Sequence, residues 1–155
     1  MQCTHALEIN ADWAELILSG TKTVELRDWA LPGAAVGRRV GLLAPTSPAG
    51  GAPGAPALAA HATLGPATPA RMVGWARFGP PFRYESAAAA AADQARTRVP
   101  AGSPFLLAPP HRPPSAAPTL FWGWPVLAAG RADPPAPPPP GGRRLIRSLW
   151  VLSEE

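Results

Sequence analysis

The spacing of apolar residues changes abruptly within residues 10–28, NADWAELILSGTKTVELRD. Apolar side chains first recur at helical spacing, starting at Trp13, which predicts a helix over residues 11–19 with one buried face. Asn10 is a suitable N-cap for that helix, and Gly20 suits the left-handed position that ends it. A short amphipathic helix that ends on glycine is therefore predicted near the start of the chain.

After the glycine the apolar period changes to two, which predicts a β-strand. Val24 and Leu26 should face the core, so Glu25 and Arg27 should point away from it. Lys22, beside the helix end, need not follow the strand and could turn into a crevice there. The alternative is an ordinary half-exposed strand in which Glu25 and Arg27 pair at the surface.

The rest of the chain alternates short apolar runs with turns and loops. Strands are predicted at residues 5–9, 39–44, 72–78, 119–128 and 144–152, and an alanine-rich second helix at 86–97. The count is about six strands and two helices in the order β-α-β-β-β-α-β-β. Such short strands without a βαβ rhythm predict an α+β fold, a small mixed β-barrel.

Composition modifies this picture in two intervals. The chain holds 155 residues, 23 prolines and 15 glycines, and two intervals, at about 45–70 and 133–142, are rich in proline, alanine or glycine. We interpret residues 1–155 as a single domain with disordered low-complexity insertions at these places. No apolar run is long enough to cross a membrane, and no signal peptide is visible at the N-terminus. The single cysteine, Cys3, fits a reducing compartment, so a cytoplasmic or nuclear protein is expected.

Charge is unevenly distributed along the chain. Residues 1–28 hold five acids and two bases, whereas the remainder holds five acids and twelve arginines. The arginine excess favours a polyanionic partner such as RNA. A GC-rich coding sequence would also enrich arginine, so this alternative stays open. Lys22 is the only lysine among fourteen basic residues, which indicates a role for a compact amine that arginine cannot fill.

The stretch ALEINADWAELILSGTKTVELRDWALP resembles the opening of an ASCH domain (activating signal cointegrator homology), whose members share a pattern close to I-L-x-G-x-K-T-v-E-x-R. Looser matches continue through RRVGLLA, MVGWARF, WGWPVL and LWVL. The resemblance implies a PUA-like β-barrel that binds RNA or modified nucleosides in a cleft between the barrel and the first helix. Residues that match the signature, and would line or brace that cleft, are Gly20, Lys22, Thr23, Glu25 and Arg27.

Aromatic side chains could supply base stacking in such a cleft. Trp13, Trp75 and Trp150 lie on predicted core faces. The tryptophans expected as base contacts are Trp29, Trp122 and Trp124, and the resemblance matches the last of these to a tryptophan of the family's penultimate strand.

One bacterial branch of the ASCH family removes the acetyl group from acetylated cytidine, which implies a second hypothesis, an amidohydrolase. Lys22 matches the lysine of that branch, and in this hypothesis it would act as nucleophile or base while Glu25 shuttles the proton. Glu25 stands where that branch has threonine. A ribonuclease would need a histidine pair, which His5, His61 and His111 are not expected to form.

A third hypothesis is a protein-interaction module whose polyproline segment, residues 134–140, docks onto an SH3- or WW-type groove. No cofactor and no metal site are predicted. A module that binds RNA or a modified nucleoside is the preferred hypothesis of the three.

Overall fold

The structure is a computed structural model that describes residues 2–45, 70–103, 106, 120–138, 143–146 and 148–152. Within these ranges the chain forms eight strands, three α-helices and one 3-10 helix. In chain order they are β1 His5–Glu8, α1 Ala11–Leu18, β2 Val24–Arg27, the 3-10 helix Gly33–Ala35, β3 Arg39–Pro45, β4 Ala70–Phe78, β5 Phe82–Arg83, α2 Ala87–Ala92, α3 Gln94–Thr97, β6 Trp122–Ala136, β7 Arg143–Ile146 and β8 Leu149–Val151.

Helix α1 forms as its sequence predicts. The Asn10 side chain accepts a hydrogen bond from the backbone N–H of Asp12 at 2.9 Å, which caps the first turn. Trp13, Ala14 and Ile17 form its buried face. Gly20 follows the helix with φ +75°, a left-handed conformation that favours glycine. Local signals alone therefore fix where this helix begins and ends.

The strands form one curled sheet in the order β2-β6-β4-β3-β1-β8-β7, with β5 paired to β6. β1 and β3 are parallel, and the other pairs are antiparallel. Helix α1 covers the inner face at Gly74, where an added Cβ would lie 2.6 Å from a methyl carbon of Leu18. The main core fills the space between α1 and this inner face.

The predicted α+β class is confirmed, with a half-barrel sheet and short helices. The second helix is interrupted at Asp93, so α2 and α3 replace one helix. The last predicted strand is a hairpin in which β8 pairs with β1 and β7 lies at the sheet edge. Its nearly continuous apolar run had concealed the turn at Ser148.

The two predicted insertions have different outcomes. Residues 46–69 lie outside the described residues, although their flanking positions Pro45 and Ala70 are direct register partners. The predicted loop at 133–142 is wrong at its start, because β6 continues to Ala136, which pairs with Met72. Prolines are tolerated there because, among the described strands, this end of β6 pairs only with β4, and the register is interrupted at this point. Residues 139–142 lie outside the described residues, so docking of the polyproline segment stays a prediction.

Two further predictions concern membrane-spanning segments and the histidines. The described helices include none that is long and apolar enough to span a bilayer. Of the three histidines, His61 and His111 lie outside the described residues, and His5 is buried in β1. The cytoplasmic or nuclear location stays a prediction.

Candidate functional site

A narrow pocket lies between the start of α1 and strand β2. Its cavity volume is about 20 Å³, enough for a single water molecule. The pocket is lined by Ile9, Asn10, Trp13, Lys22, Glu25, Leu26, Arg27 and Val99. Three residues of the predicted site, Lys22, Glu25 and Arg27, thus meet at one place.

Lys22 is turned into this pocket and is 2% exposed. Its Nζ lies 3.4 Å from Glu25 Oε2 and 4.7 Å from the centre of the Trp13 ring, and it donates a hydrogen bond to the carbonyl of Thr97. Burial lowers the pKa of Lys22, Glu25 opposes that shift, and Arg27 adds to it. The amine is therefore held closer to its neutral form than a surface lysine.

Glu25 and Arg27 lie outside the apolar core cluster and line the pocket, so the alternative of a half-exposed strand with this pair at the surface is wrong. They are 4% and 3% exposed, and Arg27 Nε donates to Glu25 Oε1 at 2.8 Å. Strand β2 ends the sheet order, and the curl of the sheet brings both of its faces against other parts of the chain. Alternation along the strand predicts two faces but not that both are covered.

Arg27 connects β2 to the opposite part of the sheet. Its Nη2 donates to the carbonyl of Glu8 in β1 at 3.2 Å, and its Nη1 donates to Ser148 Oγ at 3.0 Å. The backbone N–H of Glu8 also donates to the Ser148 carbonyl at 2.8 Å. Arg27 thus bridges strands that are not neighbours in the sheet order.

Glu25 Oε2 is the atom in the pocket whose bonding is incomplete. It is buried and accepts no hydrogen bond from any described residue, although Lys22 Nζ lies 3.4 Å away. A buried carboxylate oxygen without a donor is costly unless a water or ligand supplies one. The pocket therefore presents a hydrogen-bond acceptor to whatever enters it.

The segment from α3 to Val99 covers one side of the pocket. Three hydrogen bonds attach it: Thr23 N–H donates to the Arg96 carbonyl at 3.0 Å, Arg98 Nε donates to the Thr21 carbonyl at 3.0 Å, and Lys22 donates to Thr97. We call residues 96–99 the covering segment.

A second polar cluster, formed by Tyr84, Asp93 and Arg96, anchors the start of the covering segment through Arg96. Tyr84 donates to Asp93 Oδ2 at 2.5 Å, and Arg96 Nε donates to Asp93 Oδ1 at 2.7 Å. Burial raises the pKa of Asp93, but the hydrogen bonds from Arg96 and Tyr84 outweigh it and keep that pKa below its usual value. Burial and the Asp93 contact together raise the pKa of Tyr84. Asp93 is thus engaged with Tyr84 and Arg96.

Comparison of the sequence with models of known protein families gives no match, and neither does comparison with curated proteins. Solved structures do match. The crystal structure of ASCH from Zymomonas mobilis aligns with a TM-score of 0.61 at 13% identity, covering 97% of this chain and 87% of that one. A mutant of the same protein gives 0.61 at 12% identity, covering 99% and 92%. The chain has an ASCH fold.

Within this ASCH fold, two of the three tryptophans predicted as base contacts are core residues. Trp124 is 0% and Trp29 is 7% exposed, and their ring centres lie 4.7 Å apart in an edge-to-face arrangement. Trp124 Nε1 also donates to the Trp29 carbonyl at 3.3 Å. Neither ring is accessible to a base in this structure, because the curl of the sheet buries β6 at Trp124 and Trp29 packs against that ring. Trp122 is half-buried against the same core.

The tryptophan that lines the pocket is Trp13, which the helical pattern assigns only to the core. Trp13 belongs to the core and also lines the pocket. The sequence pattern did not identify Asn10 and Val99 as pocket residues either. Asn10 is recognisable in the sequence only as a helix cap, and Val99 reaches the pocket through long-range folding that local patterns do not report.

The remaining signature residues support the pocket without lining it. Gly20 is exposed and ends α1, which sets the direction of the chain into Lys22. Thr23 is exposed, and its backbone N–H holds the covering segment. Among the described residues, no group of three histidine, cysteine or acidic side chains is arranged to hold a metal ion. Burial raises the pKa of the Cys3 thiol, as expected for a structural cysteine.

Proposed function

We propose that this chain binds RNA or a modified nucleoside, with one nucleobase entering the pocket between α1 and β2. The observation that carries the proposal is the buried Glu25 Oε2, which borders the pocket and accepts no hydrogen bond from a described residue. Its charge is already balanced by Lys22 and Arg27, so a base would supply the well-aligned N–H hydrogen bond that Oε2 lacks rather than a missing positive charge.

The chemistry of the pocket favours a base with an exocyclic amino group. A carboxylate accepts from the amino group of cytosine, as in base recognition by acidic residues. Arg27 uses only some of its guanidinium N–H groups in its hydrogen bonds to Glu25, Glu8 and Ser148, so other N–H groups remain to donate to a ligand. A base that carries an amino group beside a ring nitrogen acceptor could donate to the Glu25 carboxylate and accept from Arg27.

Entry of a base requires the pocket to open. Sites for small molecules usually have volumes of about 300–1,000 Å³, far more than the cavity of about 20 Å³. The covering segment carries Val99, which lines the pocket, and three hydrogen bonds hold it to residues 21–23. We expect it to move outward when the ligand binds.

Calorimetric titration with cytidine and uridine tests this proposal. Cytidine should bind at least tenfold more tightly, because uridine lacks the amino group, and Glu25→Gln should remove that preference. Glu15→Gln, in an exposed pair with Arg131, is the matched control and should leave it intact. Equal affinities for the two nucleosides in the unsubstituted protein would contradict the proposal.

A second candidate, an amidohydrolase acting on an acylated nucleoside, is favoured by the position of Lys22. Its buried amine, with a lowered pKa, lies 3.4 Å from Glu25 Oε2. In its neutral form the amine could activate water or attack an acyl carbon, with Glu25 moving the proton. Arg27 would stabilise the negative charge that develops on oxygen.

Acetate release from acetylated cytidine decides this second candidate. An enzyme should show turnover that Lys22→Arg abolishes, because guanidinium does not deprotonate. Tight binding of the acetylated nucleoside without acetate release would restrict the chain to binding.

A further inference from the structure

A group of exposed basic side chains lies on the outer face of the sheet, where β3 pairs with β4. Arg39 and Arg77 are direct register partners, and both are exposed. Trp75 lies two residues along β4 from Arg77 and therefore on the same face, so its predicted place on the core face is wrong. The neighbouring residues Val40, Ala76 and Phe78 point into the main core. We call Arg39, Trp75 and Arg77 the outer patch.

Trp75 orients Arg39. The guanidinium carbon of Arg39 lies 4.4 Å from the centre of the Trp75 ring, a stacking distance at which the planar cation is attracted to the ring. The ring itself is seated against β6 at Gly130, where an added Cβ would lie 2.7 Å from Trp75 Nε1. The half-buried indole thus acts as a fixed support for an exposed guanidinium.

Within the described part of the chain, no acidic side chain is paired with these arginines. Among the described residues, neither Arg39 nor Arg77 has a carboxylate within 4.0 Å, whereas Arg96 and Arg131 are each paired with one. Like charges at directly opposite sheet positions disfavour folding. The exposed Arg38 immediately precedes β3. An anion at the outer patch would offset this repulsion.

We propose that the outer patch docks the phosphate backbone of a single-stranded RNA, as a contact surface separate from the pocket. The choice of RNA rests on the proposed function of the pocket, whereas the choice of a polyanion rests on two exposed arginines that no described carboxylate pairs. Arg39 and Arg77 would each present a guanidinium fork to a phosphate, which is the geometry that arginine favours. The pocket then selects a base, and the outer patch adds affinity that does not depend on sequence.

Fluorescence anisotropy with a short labelled single-stranded RNA, measured over a range of salt concentrations, tests this proposal. The double variant Arg39→Gln/Arg77→Gln should weaken binding about tenfold or more near physiological salt. It should also reduce the slope of log affinity against log salt by about 1.4, since each phosphate contact on a single strand contributes about 0.7. The control Arg83→Gln/Arg143→Gln removes equal charge from exposed arginines elsewhere and should change both quantities much less.

Equal losses in the two double variants would overturn the proposal, because they would show a general charge effect. An unchanged salt slope in the patch variant would overturn it as well. Loss of binding to phosphatidylserine vesicles without loss of RNA binding would reassign the outer patch to a membrane surface. Cytidine carries no phosphate, so its calorimetric affinity reports on the pocket alone and separates a failure there from a failure at the outer patch. The patch variant should melt close to the unsubstituted protein, since the relief of like-charge repulsion offsets the lost contact between Arg39 and Trp75.

Discussion

Lys22 and Glu25 form a buried ion pair in which each side chain compensates the burial of the other. The Lys22 amine is surrounded by the Trp13 ring, the Thr97 carbonyl and Glu25, and Arg27 supplies a second positive charge to the same carboxylate. One acid thus serves two bases in a space nearly closed to water. The ionisation of Lys22 and the integrity of Glu25 are the two properties that this arrangement determines.

The pKa of Lys22 should lie below its ordinary value of 10.5, chiefly because of burial. Between the folded pKa and 10.5 the unfolded state binds more protons, so the free energy of unfolding should rise with pH across that window, relative to Lys22→Met. Lysine labelled with ¹³C at Cε gives one lysine signal, since Lys22 is the only lysine. A titration midpoint at or above 10.5 would be inconsistent with the burial described.

Glu25→Gln should lower the free energy of unfolding by about 3 kcal/mol, because it leaves the buried cations Lys22 and Arg27 without their shared anion. The matched control Glu15→Gln breaks an exposed pair with Arg131 and should cost less than about 1 kcal/mol. Urea unfolding of both variants measures the difference. Similar losses in the free energy of unfolding would show that the Glu25 ion pairs contribute no more to stability than an exposed pair does.

Individual elements follow from local signals more closely than the site does. Spacing, the Asn10 cap and Gly20 predict α1 to within a residue, and alternation predicts β2. The burial of Glu25 and Arg27 and the arrival of Val99 depend on how the sheet curls. Those contacts join residues far apart in the chain, and no periodicity reports them.

Gly20→Ala should destabilise the fold by about 1–2 kcal/mol through backbone conformation alone, because φ is +75° and no heavy atom lies within 4 Å of an added Cβ. Gly33→Ala is the matched control, since its site is equally open and its φ is not in the left-handed range. Thermal melting should separate the two variants. A tolerated Gly20→Ala would mean that the end of α1 does not direct the chain into the pocket.

At the level of the whole molecule, closure of the half-barrel depends on contacts between β2 and the β1–β8 region. Arg27 makes two of them, to Glu8 and Ser148. The sequence predicts the α+β class, and its resemblance to the ASCH pattern predicts the barrel. It does not predict the bridging contacts, because they form only when non-neighbouring strands approach.

Deleting residues 49–67 should leave the melting temperature nearly unchanged or slightly raised. Pro45 and Ala70 are register partners, so the short remaining linker can join β3 to β4 directly. Each halving of loop length should contribute about 0.6 kcal/mol in favour of folding. Scanning calorimetry measures the effect, and a large fall in melting temperature would show that this interval contributes to the core.

The most direct test of the account follows the ¹³Cε resonance of Lys22 during titration with cytidine and with uridine. Because Lys22 Nζ lies 3.4 Å from the carboxylate oxygen proposed to receive the base, cytidine should shift this resonance in a saturable way, uridine should shift it much less, and Glu25→Gln should abolish the response. A Lys22 resonance that cytidine leaves unmoved, or that both nucleosides move equally, would contradict recognition of a base in this pocket.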